Sequence, residues 1–293
     1  MDRKKFLKNT VFGTIGLGTG ANSLNSNNDN NEMSSYDRLM KKVGFNHLPD
    51  NEIRTMKTVL HKASTRGNAN YGWLNSYHTF SFANYYNPER MNFGVLRVLN
   101  DDTVAASKGF GKHPHDNMEI ISIPLSGDLE HKDSMGNVTV IKEGDVQIMS
   151  AGTGVYHSEF NKNADEEVRF LQIWMFPNKK DVTPRYGQIS IDKSSSKSKF
   201  QQILSPDPND DGVWSHQNAW FHLRKFEYGE VTDYDLKSTE NGVYIFVIEG
   251  SVTIEGQELK KRDGYGIWDT NNIKLDAKTS TARVLLMEVP MHT

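Results

Sequence analysis

Two pairs of residues carry the side chains with the most chemistry to offer. His113 and His115 lie in Gly111-Lys112-His113-Pro114-His115, and His157 and Glu159 lie some forty residues on, in Gly154-Val155-Tyr156-His157-Ser158-Glu159. Residues two apart on a β-strand share a face, so two neighbouring strands would bring three imidazoles and one carboxylate to a single point. That donor set has no thiolate and suits iron, manganese, cobalt, nickel, copper or zinc better than calcium or magnesium. A closed structural zinc site draws more often on cysteine, and the chain has none. The pattern points to an open, catalytic metal site.

The elements that would position these residues are strands. Short runs rich in Val, Ile, Phe and Tyr recur at 93–99, 119–125, 138–141, 146–149 and 168–176, punctuated by Gly, Asn and Asp. Regular short strands with turn signals predict an all-β sandwich or barrel. A faint internal repeat lays residues 121–130 on 245–254 and 143–148 on 263–268, with glycine separations of 17 residues (127 to 144) and 14 residues (250 to 264). Repetition on this scale predicts two related barrels in tandem. The second copy lacks histidine at the places matching His113, His115 and His157, so only the first should hold metal.

With 293 residues and 36% hydrophobic content, the chain can bury one large core or two ordinary ones. A net charge of -3 gives no basic footprint for nucleic acid and no attraction to anionic membrane surfaces. Residues 1–21 run from a basic start through a weakly apolar stretch to small residues, the layout of an export signal, too short to span a bilayer. Asp2-Arg3-Lys4-Lys5-Phe6-Leu7-Lys8 is similar to a twin-arginine signal with Lys4 in the second arginine's place. An exported, periplasmic protein is expected, with a cytoplasmic one as the alternative. Residues 22–56 begin with a run of Asn, Ser and Asp that cannot repay the entropy of ordering, and are read as a disordered extension.

Further residues carry a family likeness. Gly111-x-His113-x-His115-x3-Glu119-x7-Gly127 resembles the first cupin motif, and Gly154-x2-His157-x3-Asn161 resembles the second. Residues 66–74, His78-Thr79-Phe80-Ser81-Phe82, His113-Pro114-His115 and residues 147–159 resemble the pirin family, most of all its short bacterial branch of quercetin 2,3-dioxygenases. The likeness covers about residues 57 to 291. It implies two tandem cupin (double-stranded β-helix) barrels, a metal-binding domain at 57–190 and a cupin-like domain without metal at 191–293. Glu119 stands where many cupins place the metal carboxylate. The pirin pattern instead implies His113, His115, His157 and Glu159 as ligands. Metal-bound imidazoles usually donate their other N–H to a carboxylate or carbonyl, a role expected of Glu119, Asp116 or Gln172.

The resemblance also implies one divalent transition metal, iron(II) first and manganese, cobalt, nickel, copper or zinc as alternatives. It implies a flavonol such as quercetin, or a related aromatic enol, and O2 as substrates, with ring opening, release of carbon monoxide and Glu159 as the base. The other reading the family offers is a metal-dependent regulatory protein without turnover. A monomer is expected.

Other features receive plainer readings. Trp73, Tyr77, Phe80 and Phe82 suit a flat apolar pocket or a packed core equally. His78 and His131 are expected to be hydrogen-bonded structural histidines. Gly152 and Gly154 are expected to serve a tight turn. No phosphate-binding glycine loop precedes a helix, and no Gly-x-Ser-x-Gly nucleophile motif occurs.

Overall fold

A computed structural model describes residues 55–191 and 199–292. The expected export signal and nearly all of the expected extension lie outside the described residues. Apart from one 3-10 turn at Ala63–Thr65, the regular elements are strands, and they form four sheets.

In the first barrel a seven-stranded sheet runs β12 (Arg185–Ser190), β9 (Asp145–Ser150), β6 (Glu119–Ser126), β11 (Val168–Met175), β4 (Leu96–Val104), β3 (Leu74–His78) and β2 (Gly67–Asn70). A four-stranded sheet runs β5 (Gly109–His115), β10 (Val155–Asn161), β7 (Leu129–Asp133) and β8 (Val138–Ile141). The second barrel repeats the plan. Its larger sheet is β1 (Lys57–His61), β20 (Gly264–Trp268), β17 (Asn241–Glu249), β22 (Arg283–Pro290), β15 (Trp220–Lys225), β13 (Gln201–Ser205) and β14 (Val213–Trp214). Its smaller sheet is β16 (Val231–Asp235), β21 (Asn272–Ala277), β18 (Ser251–Ile254) and β19 (Gln257–Lys260).

The expectation that residues 57–190 build the first barrel fails at its first strand. β1 crosses to the second barrel and pairs with β20, from Lys57 opposite Trp268 to His61 opposite Gly264. There it covers an edge that would otherwise present unpaired backbone groups, as β12 covers β9 in the first barrel.

Strand periodicity places the core. On β11, Leu171, Ile173 and Met175 face one way, and on β22 so do Leu285, Met287 and Val289. With Ile121, Ile123, Tyr244 and Phe246 they form the largest apolar cluster, where the two seven-stranded sheets meet. Burying each such side chain stabilises the fold by about 1.5–3 kcal/mol. The alternate residues face the two barrel interiors, and there the barrels differ. Val243, Ile245, Val247, Val284 and Leu286 fill the second, whereas Ser122 and Gln172 take such positions in the first.

The repeat is real, but its register is one residue off in the first segment and two off in the second. Gly127 and Gly250, with φ of +73° and +72°, turn the matching hairpins, which sets Ser122 against Ile245. Laying Ile121 on Ile245 sends every side chain to the wrong face: Ile121 belongs to the core between barrels and Ile245 to the second interior. In the second segment Asp145, rather than Glu143, matches Asp263, each accepting from the backbone N–H three residues earlier (Lys142, 2.9 Å; Lys260, 3.1 Å).

Candidate metal centre

β5 and β10 lie side by side and antiparallel, with His157 opposite His113 and Val155 opposite His115. Alternation turns His113, His157 and Glu159 inward and leaves Pro114, Tyr156 and Phe160 exposed. A bulge on β5 follows, so Glu159 faces Phe110. One donor atom from each of His113, His115 and His157 lies within 4.8 Å of the others, and the same holds for His131, His157 and Glu159. The rings of His113 and His157 are 4.3 Å apart between centroids, and His115 lies 4.9 Å from each.

The electrostatics favour a cation. Burial depresses the His113 imidazole, takes His115 to about 3 with help from His113, and holds His157 well below the ordinary histidine range. All three are therefore neutral near pH 7 and offer lone pairs. His113 Nδ1 donates to the Gly111 carbonyl at 2.8 Å, which frees its Nε2. Nε2 of His115, both ring nitrogens of His157 and Nδ1 of His131 are buried without a hydrogen-bond partner among the described residues. Such orphans call for an explanation, and a metal ion bound to neutral His115 and His157 accounts for one nitrogen of each.

Glu159 is held at both oxygens: Ser122 Oγ donates to Oε1 at 3.0 Å and Gln172 Nε2 to Oε2 at 2.8 Å. Ser122 and Gln172 belong to a polar row across the larger sheet, in which register pairs His78 with Asn100, Asn100 with Gln172, Gln172 with Ser122 and Ser122 with Gln147. This row forms the floor opposite the imidazoles.

Comparison with known proteins agrees with the geometry. The family model described as Pirin matches residues 59–175, and that described as Quercetinase C-terminal cupin domain matches residues 202–289. The chain is 45% identical over 231 residues to the quercetin 2,3-dioxygenase of Escherichia coli K12, covering 79% of this chain and 98% of that one. The chain belongs to the pirin family. It is also 38% identical to a pirin-like protein of Caulobacter vibrioides, over 75% of this chain and 94% of that one. The solved structure of the E. coli bacterial pirin YhhW in complex with nickel(II) superposes with a TM-score of 0.75 at 42% identity, covering 80% of this chain and 99% of that one. Pirin-family proteins bind a metal, and the residues here fit one.

Other expected residues fall differently within this pirin-family fold. Glu119 shares the face of Ile121 and Ile123, toward the second barrel, and accepts from Ser150 Oγ (2.9 Å) and the His216 N–H (3.2 Å). Burial raises it to about 7. It takes no part in the cluster. Of the three residues expected behind the imidazoles, Gln172 comes close, but it bonds to Glu159 rather than to a histidine. Asp116 is exposed. Phe80 is in the core between barrels, Trp73 packs on Phe110 at 5.5 Å, and Tyr77 lies outside under Arg66. Only Phe82 approaches the site, through Trp174 at 5.4 Å.

Gly152 does serve a tight approach, since a Cβ there would meet the Val182 carbonyl at 1.9 Å. His131 bonds to Asp133 at 3.1 Å as expected of a structural histidine, yet it also stands beside Glu159. His78 has no partner for either ring nitrogen among the described residues, against expectation. Sequence reasoning missed Trp174, whose ring stands edge-on to His115 at 4.8 Å. Its parity with Gln172 on β11 was the available signal.

Proposed function

We propose that this chain is a metal-dependent dioxygenase that opens the heterocycle of a flavonol such as quercetin with O2 and releases one ring carbon as carbon monoxide. Its place among quercetin 2,3-dioxygenase-like oxidoreductases rests on 45% identity across most of its length. The observation that carries the proposal is a pair of donor clusters that share His157, one with His113 and His115 and one with His131 and the braced Glu159, in which ring nitrogens of His115, His131 and His157 have no hydrogen-bond partner among the described residues.

His113, His115, His157 and Glu159 would hold the ion. A divalent ion bound there supplies Lewis-acid chemistry, favouring the oxyanion of a substrate hydroxyl. Ser122 and Gln172 fix the Glu159 carboxylate, and Glu159 is the proposed base for the proton of that hydroxyl. Trp174, Val98, Met118 and Phe176 line a cavity of about 360 Å³ that reaches His115. Their apolar surface suits a flat ring and keeps water from the reacting atoms.

The test is oxygen uptake with carbon monoxide release on quercetin. Glu159→Gln is expected to abolish turnover, whereas full activity with metal bound removes Glu159 as the base. No turnover by iron-, manganese-, copper- or nickel-loaded protein across several flavonols would replace the oxygenase reading with that of a regulatory binding protein. Export is proposed from residues 1–21 alone, and cell fractionation tests it.

A further inference from the structure

The cavity beside His115 holds a cation that the mechanism leaves unused. Arg97 sits at a β-bulge: β4 pairs Val98 with Trp174 and Leu96 with Met175, so Arg97 is the extra residue between them. A bulge re-aims the side chain it carries. Here the strand neighbours Leu96 and Leu99 enter the core between barrels, whereas Arg97 lines the cavity with Val98, His115 and Trp174.

The guanidinium is partly buried and incompletely answered. Its Nη1 donates to the carbonyls of Ser81 at 2.7 Å and Met91 at 3.1 Å. Among the described residues no carboxylate forms an ion pair with it. Asp116 lies on the cavity wall but is exposed, as is Lys180. Burial depresses the Arg97 guanidinium from its ordinary value. A desolvated cation without a counter-ion is costly unless something supplies the charge. Trp174 lines the same wall, and its Nε1–H is buried without a hydrogen-bond partner among the described residues. The wall thus combines aromatic surface with the guanidinium N–H groups that remain beyond the two Nη1 bonds.

We propose that Arg97 is the specificity-determining residue of this cavity, and that it selects planar aromatic ligands carrying an oxyanion. The ring lies along Trp174 and Phe176, and the anionic oxygen meets the guanidinium in charge-assisted hydrogen bonds. This deepens the oxygenase reading and rests on it for the site's role.

The test compares 2-naphthoate with 2-naphthamide, probes of matching shape that differ in charge, binding to zinc-loaded protein by quenching of intrinsic fluorescence. Wild type is expected to prefer the carboxylate. Arg97→Gln is expected to shrink that preference about tenfold or more, the factor for one charge-assisted hydrogen bond, and Arg97→Lys to retain most of it. A role confined to holding Ser81 and Met91 would weaken both probes alike and leave the ratio unchanged, which overturns the proposal. On wild-type protein, added salt is expected to weaken naphthoate and spare naphthamide; equal indifference also overturns it. Turnover of quercetin with an unchanged ratio in Arg97→Gln removes this inference and leaves the oxygenase standing. An Arg97-dependent ratio without turnover of any flavonol does the reverse.

Discussion

The two barrels share one plan and fill it with opposite chemistry. Across the larger sheet of the first, register aligns Asn100, Gln172, Ser122, Gln147 and Gln188. The matching row in the second is His222, Leu286, Ile245, Tyr265 and Leu60. The second barrel still buries polar groups, and its buried carboxylate is answered. Glu288 accepts from Tyr234 Oη (2.7 Å), Asn241 Nδ2 (2.7 Å) and the backbone N–H groups of Lys237 (2.8 Å) and Ser238 (3.2 Å). In the first barrel, ring nitrogens of His115, His131 and His157 have no such partner among the described residues. A buried polar cluster that satisfies itself is architecture, while one left open awaits a ligand.

That contrast breaks most visibly in the second barrel. Leu286→Ala is expected to lower stability by about 2–5 kcal/mol and leave metal content unchanged, as urea midpoints and elemental analysis would report. A loss of metal without a loss of stability would mean that the second barrel is not the scaffold.

Asp102 tests the cost of a polar interior. It is buried, accepts from Ser76 Oγ, and is raised from 3.8 to about 7, first by burial. A carboxyl whose folded value exceeds its unfolded one gives stability that is full below 3.8 and lost as pH rises through about 7. Asp102→Asn removes that dependence, so its advantage over wild type should widen across this window by up to about 4 kcal/mol and then level off. A pH-independent difference in thermal unfolding would contradict this.

Gln172→Leu makes one position of the polar row resemble the second barrel. It is expected to weaken metal binding about 10–100-fold in chelator competition while leaving the fold intact; unchanged affinity would deprive the Glu159 brace of its role. The smallest effect is expected of Tyr77→Ala, no more than about 1 kcal/mol, with quercetin turnover unaffected. A large rise in KM would return Tyr77 to the pocket.

Much of the site was legible because its residues repeat at the strand period, His113 with His115 and His157 with Glu159, and two strands that pair directly carry them. Glu119 shows where that logic stops. Parity has meaning within one strand, and Glu119 lies on β6 in the opposite sheet, with no shared reference to β5. Two other features depend on long-range pairing that local sequence does not encode. β1 joins a strand some two hundred residues away, and Arg97 enters the cavity because a bulge interrupts the alternation of β4. Similarly, the ungapped repeat placed Ile121 on Ile245 because both are apolar, though one faces between the barrels and the other into one of them.

The most direct test of the account is a crystal structure of the metal-loaded protein with anomalous diffraction recorded at the metal's absorption edge. A single peak per chain is expected, in the first barrel, about 2.0–2.2 Å from ring nitrogens of His113, His115 and His157 and from a Glu159 oxygen. A peak held through His131 in place of His113, or one inside the second barrel, would contradict it.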